Sequence, residues 1–127
     1  KVKEIEITGL KGNDEILMER VMKVINANLS DSDFTVDVIT KEVGISRAQL
    51  HRKMKEMTGL SISDFIRNIR LEQAVRLLKE QKINVTQVAY MVGFSNLAHF
   101  STVFRNQFGV SPTDYIEQKT PDETKMK

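Results

Sequence analysis

Arg47, His51 and Lys55 recur at i, i+4 and i+8, and Arg52 stands beside them. On a helix that spacing gathers all four on one side. A guanidinium is a planar fork able to donate two parallel hydrogen bonds to one acceptor pair. A neutral imidazole donates or accepts, and an ammonium is a point charge suited to an anion. This is chemistry for gripping a polyanion, not for breaking bonds. The two histidines, His51 and His99, lie far apart in the chain, there is no cysteine, and no nucleophile sits beside a base. No catalytic constellation can be assembled, so an enzyme is not expected. Asp31, Asp33 and Asp37 lack the glycine and glutamate of a calcium loop and read as a solvated turn, so neither metal nor cofactor is expected.

The element that must carry these residues runs from Gly44 to Gly59, G-I-S-R-A-Q-L-H-R-K-M-K-E-M-T-G. Ser46 stands where an N-cap belongs and Gln49 follows at capping-box spacing. Gly59 stands where a left-handed residue ends a helix. Leu50, Met54 and Met57 form a stripe at i, i+4, i+7 on the side away from the basic residues. Arg47, Arg52, Lys53 and Lys55 against Glu56 give this helix +3, while the whole chain carries +2. The fifteen residues before it hold Asp31, Asp33, Asp37 and Glu42 against Lys41, a net −3.

The chain has 127 residues, 40% of them hydrophobic, enough for one compact domain or two small subdomains sharing a helix. The absence of cysteine fits the reducing cytosol. No uncharged run approaches the ~20 residues a membrane span requires, and no signal peptide is visible. A start at Lys1 suggests a fragment of a longer chain.

Read in order, residues 1–12 are a linker from an upstream domain. Asn13 caps a first helix over 14–29, with Ile16, Leu17, Val21, Ile25 and Leu29 inward. Thr35 caps a short helix from Val36 to Val43, and the Gly44 turn leads into the basic helix, a helix-turn-helix arrangement. Ser61 caps a long helix to about Lys82, apolar over a wide arc and so flanked on both sides. Asn84 and Gln87 cap a helix from Val85 to Val92. Gly93 ends it, Ser95 caps the next helix over 96–108, and Ser111, Pro112 and Asp114 open a last one. Residues 119–127 are expected to be a disordered tail.

The pattern occurs twice. Val36, Ile39, Val43, Gly44, Ile45 and Ser46 fall on Val85, Val88, Val92, Gly93, Phe94 and Ser95, a shift of 49. Leu50, Met54, Gly59, Ser61, Asp64, Phe65 and Ile66 fall on Phe100, Phe104, Gly109, Ser111, Asp114, Tyr115 and Ile116, a shift of 50. The shared positions are capping, turn and core positions, while the exposed positions of the second helices differ. The expected fold is all-α: two helix-turn-helix subdomains, 13–60 and 83–118, joined by a connecting helix over 61–82, about seven helices in all.

With V-A-Y-M-V-G-F-S-N-L-A-H-F-S-T-V-F-R-N-Q-F-G-V-S-P-T-D-Y-I and the first-unit stretch quoted above, the chain resembles the DNA-binding domain of the AraC/XylS family over about residues 13–118. The resemblance implies monomeric recognition of an asymmetric double-stranded DNA site of nearly two turns, and transcription regulation through contact with RNA polymerase. The upstream run I-E-I-T-G-L-K-G-N-D-E-I-L resembles the junction before this domain in Bacteroides-type hybrid two-component regulators. The family's base-reading positions carry over to Arg47, Ala48, His51 and Arg52, and to Asn96, Leu97, His99, Ser101 and Thr102. The slot of Ala48 often holds a bulkier residue and that of Thr102 often an arginine. Ser46, Lys53, Lys55 and Arg105 are suited to phosphates. The rival for Arg52 is a bridge to Glu56; for His99, a packing role; for Asn96, the helix cap. The rival for the whole is a helical adaptor that binds protein through Leu97 and the connecting helix.

Overall fold

The computed structural model describes residues 12–80 and 83–117, all of whose regular structure is helical. In order these are α1 (Gly12–Ala27), α2 (Val36–Val43), α3 (Arg47–Thr58), α4 (Ile62–Glu80), α5 (Val85–Met91) and α6 (Leu97–Phe108). Residues 112–117 form a seventh helix, α7. The linker expected over 1–12 lies outside the described residues except for Gly12, and the expected tail lies wholly outside them.

Local chemistry explains most boundaries. Ser46 Oγ accepts from the Gln49 N–H at 3.0 Å while Gln49 Oε1 accepts from the Ser46 N–H at 3.2 Å, a reciprocal capping box at the start of α3. Asn84 and Gln87 make the same pair at the start of α5. Ser61 and Ser111 each accept from the N–H three residues on, opening α4 and α7. Thr35 holds the cap position of α2 with extended backbone but makes no side-chain cap bond.

Three expectations change. α1 spans Gly12–Ala27 and not 14–29, so Asn13 lies inside it. The chain leaves the helix at Asn28, whose Nδ2 donates back to the Val24 carbonyl at 2.8 Å. On α1, Met18 is fully buried with Val21 and Ile25, while Ile16 is 56% exposed. Both residues fit a helical period; the neighbours in the first core select the face that bears Met18.

The third change is in the second turn. α6 is capped by Asn96, whose Oδ1 accepts from the His99 N–H at 2.7 Å, and not by Ser95. α5 ends at Met91 rather than Val92. The N–H of Gly93 bonds the Tyr90 carbonyl and the N–H of Phe94 bonds the Ala89 carbonyl, a Schellman turn. In the first unit, the Gly44 N–H makes a single bond to the Thr40 carbonyl. The second turn is therefore longer, and the extra residue of the repeat lies before the α6 cap rather than after it.

α4 takes part in two separate cores. Ile62, Phe65 and Ile66 pack with Met18, Val21, Ile25, Ile39, Val43, Leu50 and Met54. Leu71, Ala74 and Leu78 pack with Val88, Ala89, Val92, Phe94, Phe100 and Phe104. At about 100° per residue these two sets lie roughly 150° apart around the helix. One rod thus buries nearly opposite faces against two helix-turn-helix units, which is why its apolar pattern covers a wide arc.

Because the α5 cap is made and the α2 cap is not, Asn84→Ala should cost about 0.5–2 kcal/mol of folding free energy. Thr35→Ala should cost distinctly less. Urea unfolding of both variants checks this.

Candidate nucleic-acid interface

α3 is positioned by its buried residues Leu50 and Met54, each fully covered by the first core. Met57 packs partly against the same core, which leaves the opposite side of the helix facing outward. Arg47, Ala48, His51, Arg52 and Lys55 are all exposed and, with Glu56, line one open depression.

The cations on this face are not equivalent. Arg47 Nη1 pairs with Asp37 Oδ1 of α2 at 2.5 Å, with both side chains about two-thirds or more exposed. Asp37 thus accepts from one guanidinium nitrogen in an exposed pair worth at most about 1 kcal/mol, a partner the sequence does not suggest for an acid that reads as part of a solvated turn. Arg52 Nε lies 3.8 Å from Glu56 Oε2, both more than half exposed. Such a screened i,i+4 pair contributes about 0.3–0.5 kcal/mol, less than the ~1–3 kcal/mol of discrimination from a bidentate contact to guanine. The expected bridge is present, but it is too weak to hold Arg52 back. Lys55 has no ion-pair partner among the described residues.

Lys53 departs from the expected phosphate role. Its Nζ lies 2.7 Å from Asp14 Oδ1 of α1 and 3.5 Å from Glu56, with only 28% of the side chain exposed. The hydrogen bond to Asp14 holds the ammonium proton above the ordinary lysine range, the charges of Asp14 and Glu56 adding to it against the opposing effect of burial. A raised folded-state pKa stabilises fully below the ordinary lysine value, and that contribution is lost as pH rises through the raised one. At neutral pH the pair ties α3 to α1. Ser46 spends its acceptor on the cap and retains a hydroxyl proton to donate.

The second unit presents the matching face on α6. Aligning the caps Ser46 and Asn96 gives a uniform shift of 50 between α3 and α6. Arg47, Ala48, His51, Arg52 and Lys55 then correspond to Leu97, Ala98, Ser101, Thr102 and Arg105. Ala98, which is not in the expected base-reading set, is exposed, like Leu97, Thr102 and Arg105, while Ser101 is half-buried. Asn96 is occupied as the helix cap. His99 takes the slot of Gln49, off the outward line, and its ring meets Phe94 edge-on at 5.5 Å. It stays exposed, but its packing role is the one with a visible partner.

Among the described residues no three His, Cys, Asp or Glu gather as metal ligands, and no helix is long and apolar enough to cross a membrane.

A family model described as a helix-turn-helix domain matches residues 39–118. Histidine kinase P4 of Formosa agariphila is 36% identical over 112 residues, which is 88% of this chain and 8% of that protein. The chain spans less than two-fifths of the curated relatives it matches, 38% and 28% in two further cases. Among solved structures, a transcriptional regulator of Chromobacterium violaceum described as an AraC-type DNA-binding domain-containing protein superposes with TM-score 0.76 at 29% identity, over 85% of this chain and 96% of that one. The DNA-binding domain of AdpA, a global transcriptional factor solved in complex with target DNA, gives TM-score 0.78 at 27% identity, over 86% and 96%.

Lys53→Met should lower the melting temperature by removing the link to α1, while Lys55→Ala should leave it unchanged. Thermal unfolding at neutral pH separates the two.

Proposed function

From the premise that the chain belongs to the AraC/XylS-type helix-turn-helix family of DNA-binding transcription regulators, we propose how it grips its duplex. α3 and α6 enter successive major grooves on one side of the DNA. The observation that carries this reading is the register of 50, which sets two outward faces in equivalent places on two units that share α4. α4 has 19 residues. At ~1.5 Å rise per residue it is about 28 Å long, close to the ≈ 34 Å of one DNA turn.

On α3, Arg52 reads guanine O6 and N7, with His51 beside it. Ala48 offers only an apolar contact of the kind a thymine methyl accepts. Arg47, paired through one nitrogen with Asp37, presents its other edge to the groove. On α6, Leu97, Ala98, Ser101 and Thr102 make a nearly uncharged reading face. Ser46, Lys55 and Arg105 contact phosphates, which set the register without carrying sequence information. The cationic grip is unequal: α3 brings Arg47, Arg52 and Lys55 outward, and α6 brings Arg105 alone.

We divide the chain into 13–60, 61–82 and 83–118, a reading supported by two cores that share α4. The domain binds as a monomer, each unit supplying one reading helix to an asymmetric site. In the full-length protein the domain is the output of a longer regulator that contacts RNA polymerase. The similarity to a histidine kinase, together with the lead-in sequence, favours a hybrid two-component chain.

Selection from random duplexes followed by gel shift at two salt concentrations tests the reading. Lys55 and Arg105 on phosphates give a log–log salt slope of about −2, and all four outward cations together at most about −3.6, whereas an apolar adaptor shows almost none. Arg52→Ala should relax preference at one base position and cost ~1–3 kcal/mol; Arg105→Ala should weaken all sequences alike and reduce the slope by about 1. A flat response to both changes removes the contact assignment.

A further inference from the structure

Arg70 lies at the waist of α4, between the residues that serve the first core and those that serve the second. Its guanidinium reaches both units. Nη2 donates to the Asp31 carbonyl, in the loop after α1, at 3.0 Å. Nη1 donates to the Gly93 carbonyl, in the turn between α5 and α6, at 3.3 Å. Nε is buried beside the same turn without a partner among the described residues.

Backbone meets backbone at the same place. Gly93 has φ +94°, and a Cβ there would lie 2.3 Å from the Leu29 carbonyl oxygen and 2.8 Å from Arg70 Cζ. The second unit's turn therefore sits directly against the first unit's loop, with the Arg70 fork beside them. The internal repeat supplies a control. Gly44 is the turn glycine of the first unit, also at positive φ (+83°), and a Cβ there would meet nothing within 4 Å. Both glycines serve the turn, but only Gly93 serves a contact between units.

We propose that Arg70 is a positioning residue that fixes α6 relative to α3 by clamping the Gly93 turn to the loop at Leu29–Asp31. A planar fork serves two carbonyls from separate segments in one fixed geometry, whereas a lysine ammonium is a point charge on a flexible stem. α6 begins four residues after Gly93, so any tilt of that turn is passed to the reading helix. The clamp rests on the reading of α3 and α6 as the two DNA-contacting helices, and it goes further, because it makes their mutual orientation depend on a tertiary contact as well as on the rod between them.

The chain contains no cysteine, so spin labels can be attached at Ala48→Cys and Ala98→Cys, two exposed positions on the two reading helices. Pulsed electron spin measurement of the free protein then reads the distance between α3 and α6 without DNA. The unmodified background should give one narrow distribution. Arg70→Met should broaden or shift it while helicity is retained, and Arg70→Lys should give an intermediate width. On DNA, Arg70→Met should lose about tenfold in affinity at the optimal half-site spacing, a typical coupling between linked sites, and should flatten the dependence on inserted base pairs. An unaltered distance distribution in folded Arg70→Met overturns the clamp, as does an unaltered distribution in Arg70→Lys should the Met variant fail to fold. If the distance broadens but no duplex is bound by any form, the clamp stands and the DNA reading falls.

Discussion

α4 buries two nearly opposite faces, and everything else in the domain depends on that constraint. Ile62, Phe65 and Ile66 complete one core; Leu71, Ala74 and Leu78 complete the other. Each helix-turn-helix unit completes its core with residues of the shared helix. The result is two small cores on one rod, tied again where Arg70 and Gly93 meet the loop after α1. Moving one unit against the other requires distorting α4 at its waist and breaking the contacts of Arg70 and Gly93 there.

The two units achieve similar geometry with different chemistry. The first core is mostly aliphatic, with Met18, Met54 and one buried aromatic, Phe65, and its reading helix carries the charge. In the second, Phe94, Phe100, Phe104, Phe108 and Tyr115 form a chain of rings with centroids 4.5 to 5.9 Å apart. Edge-on and tilted aromatic contacts of this kind are worth about 0.5–1.5 kcal/mol each beyond burial. The second unit is thus anchored by its interior and presents a mild outer face, whereas the first presents a strongly cationic one. Such asymmetry suits an asymmetric site, with one half supplying electrostatic attraction and the other a shape-selective, largely uncharged contact.

What could be read from the sequence was what local chemistry decides. Capping boxes at Ser46 and Asn84, the positive-φ glycines 44, 59 and 109, and the apolar stripe of α3 all rest on residues within a few positions of one another. The repeat was legible for the same reason. What escaped was decided at a distance. Ser95 and Asn96 are both competent caps, and the choice between them follows from the Schellman turn that brings Phe94 into the core. Lys53 looked like one more surface cation because its partner, Asp14, lies on a different helix. Asp37 looked solvated because its partner Arg47 lies beyond the turn. Nothing near Arg70 in sequence shows that two carbonyls, from residues 31 and 93, converge on it.

A duplex bound by two rigidly related helices has to show their spacing. The most direct measurement is a hydroxyl-radical footprint of the domain on its selected site. The account predicts two protected patches about one helical turn, 10–10.5 base pairs, apart on the same face of the DNA, with the stronger protection under α3. A single patch, or two patches on opposite faces of the duplex, would contradict it.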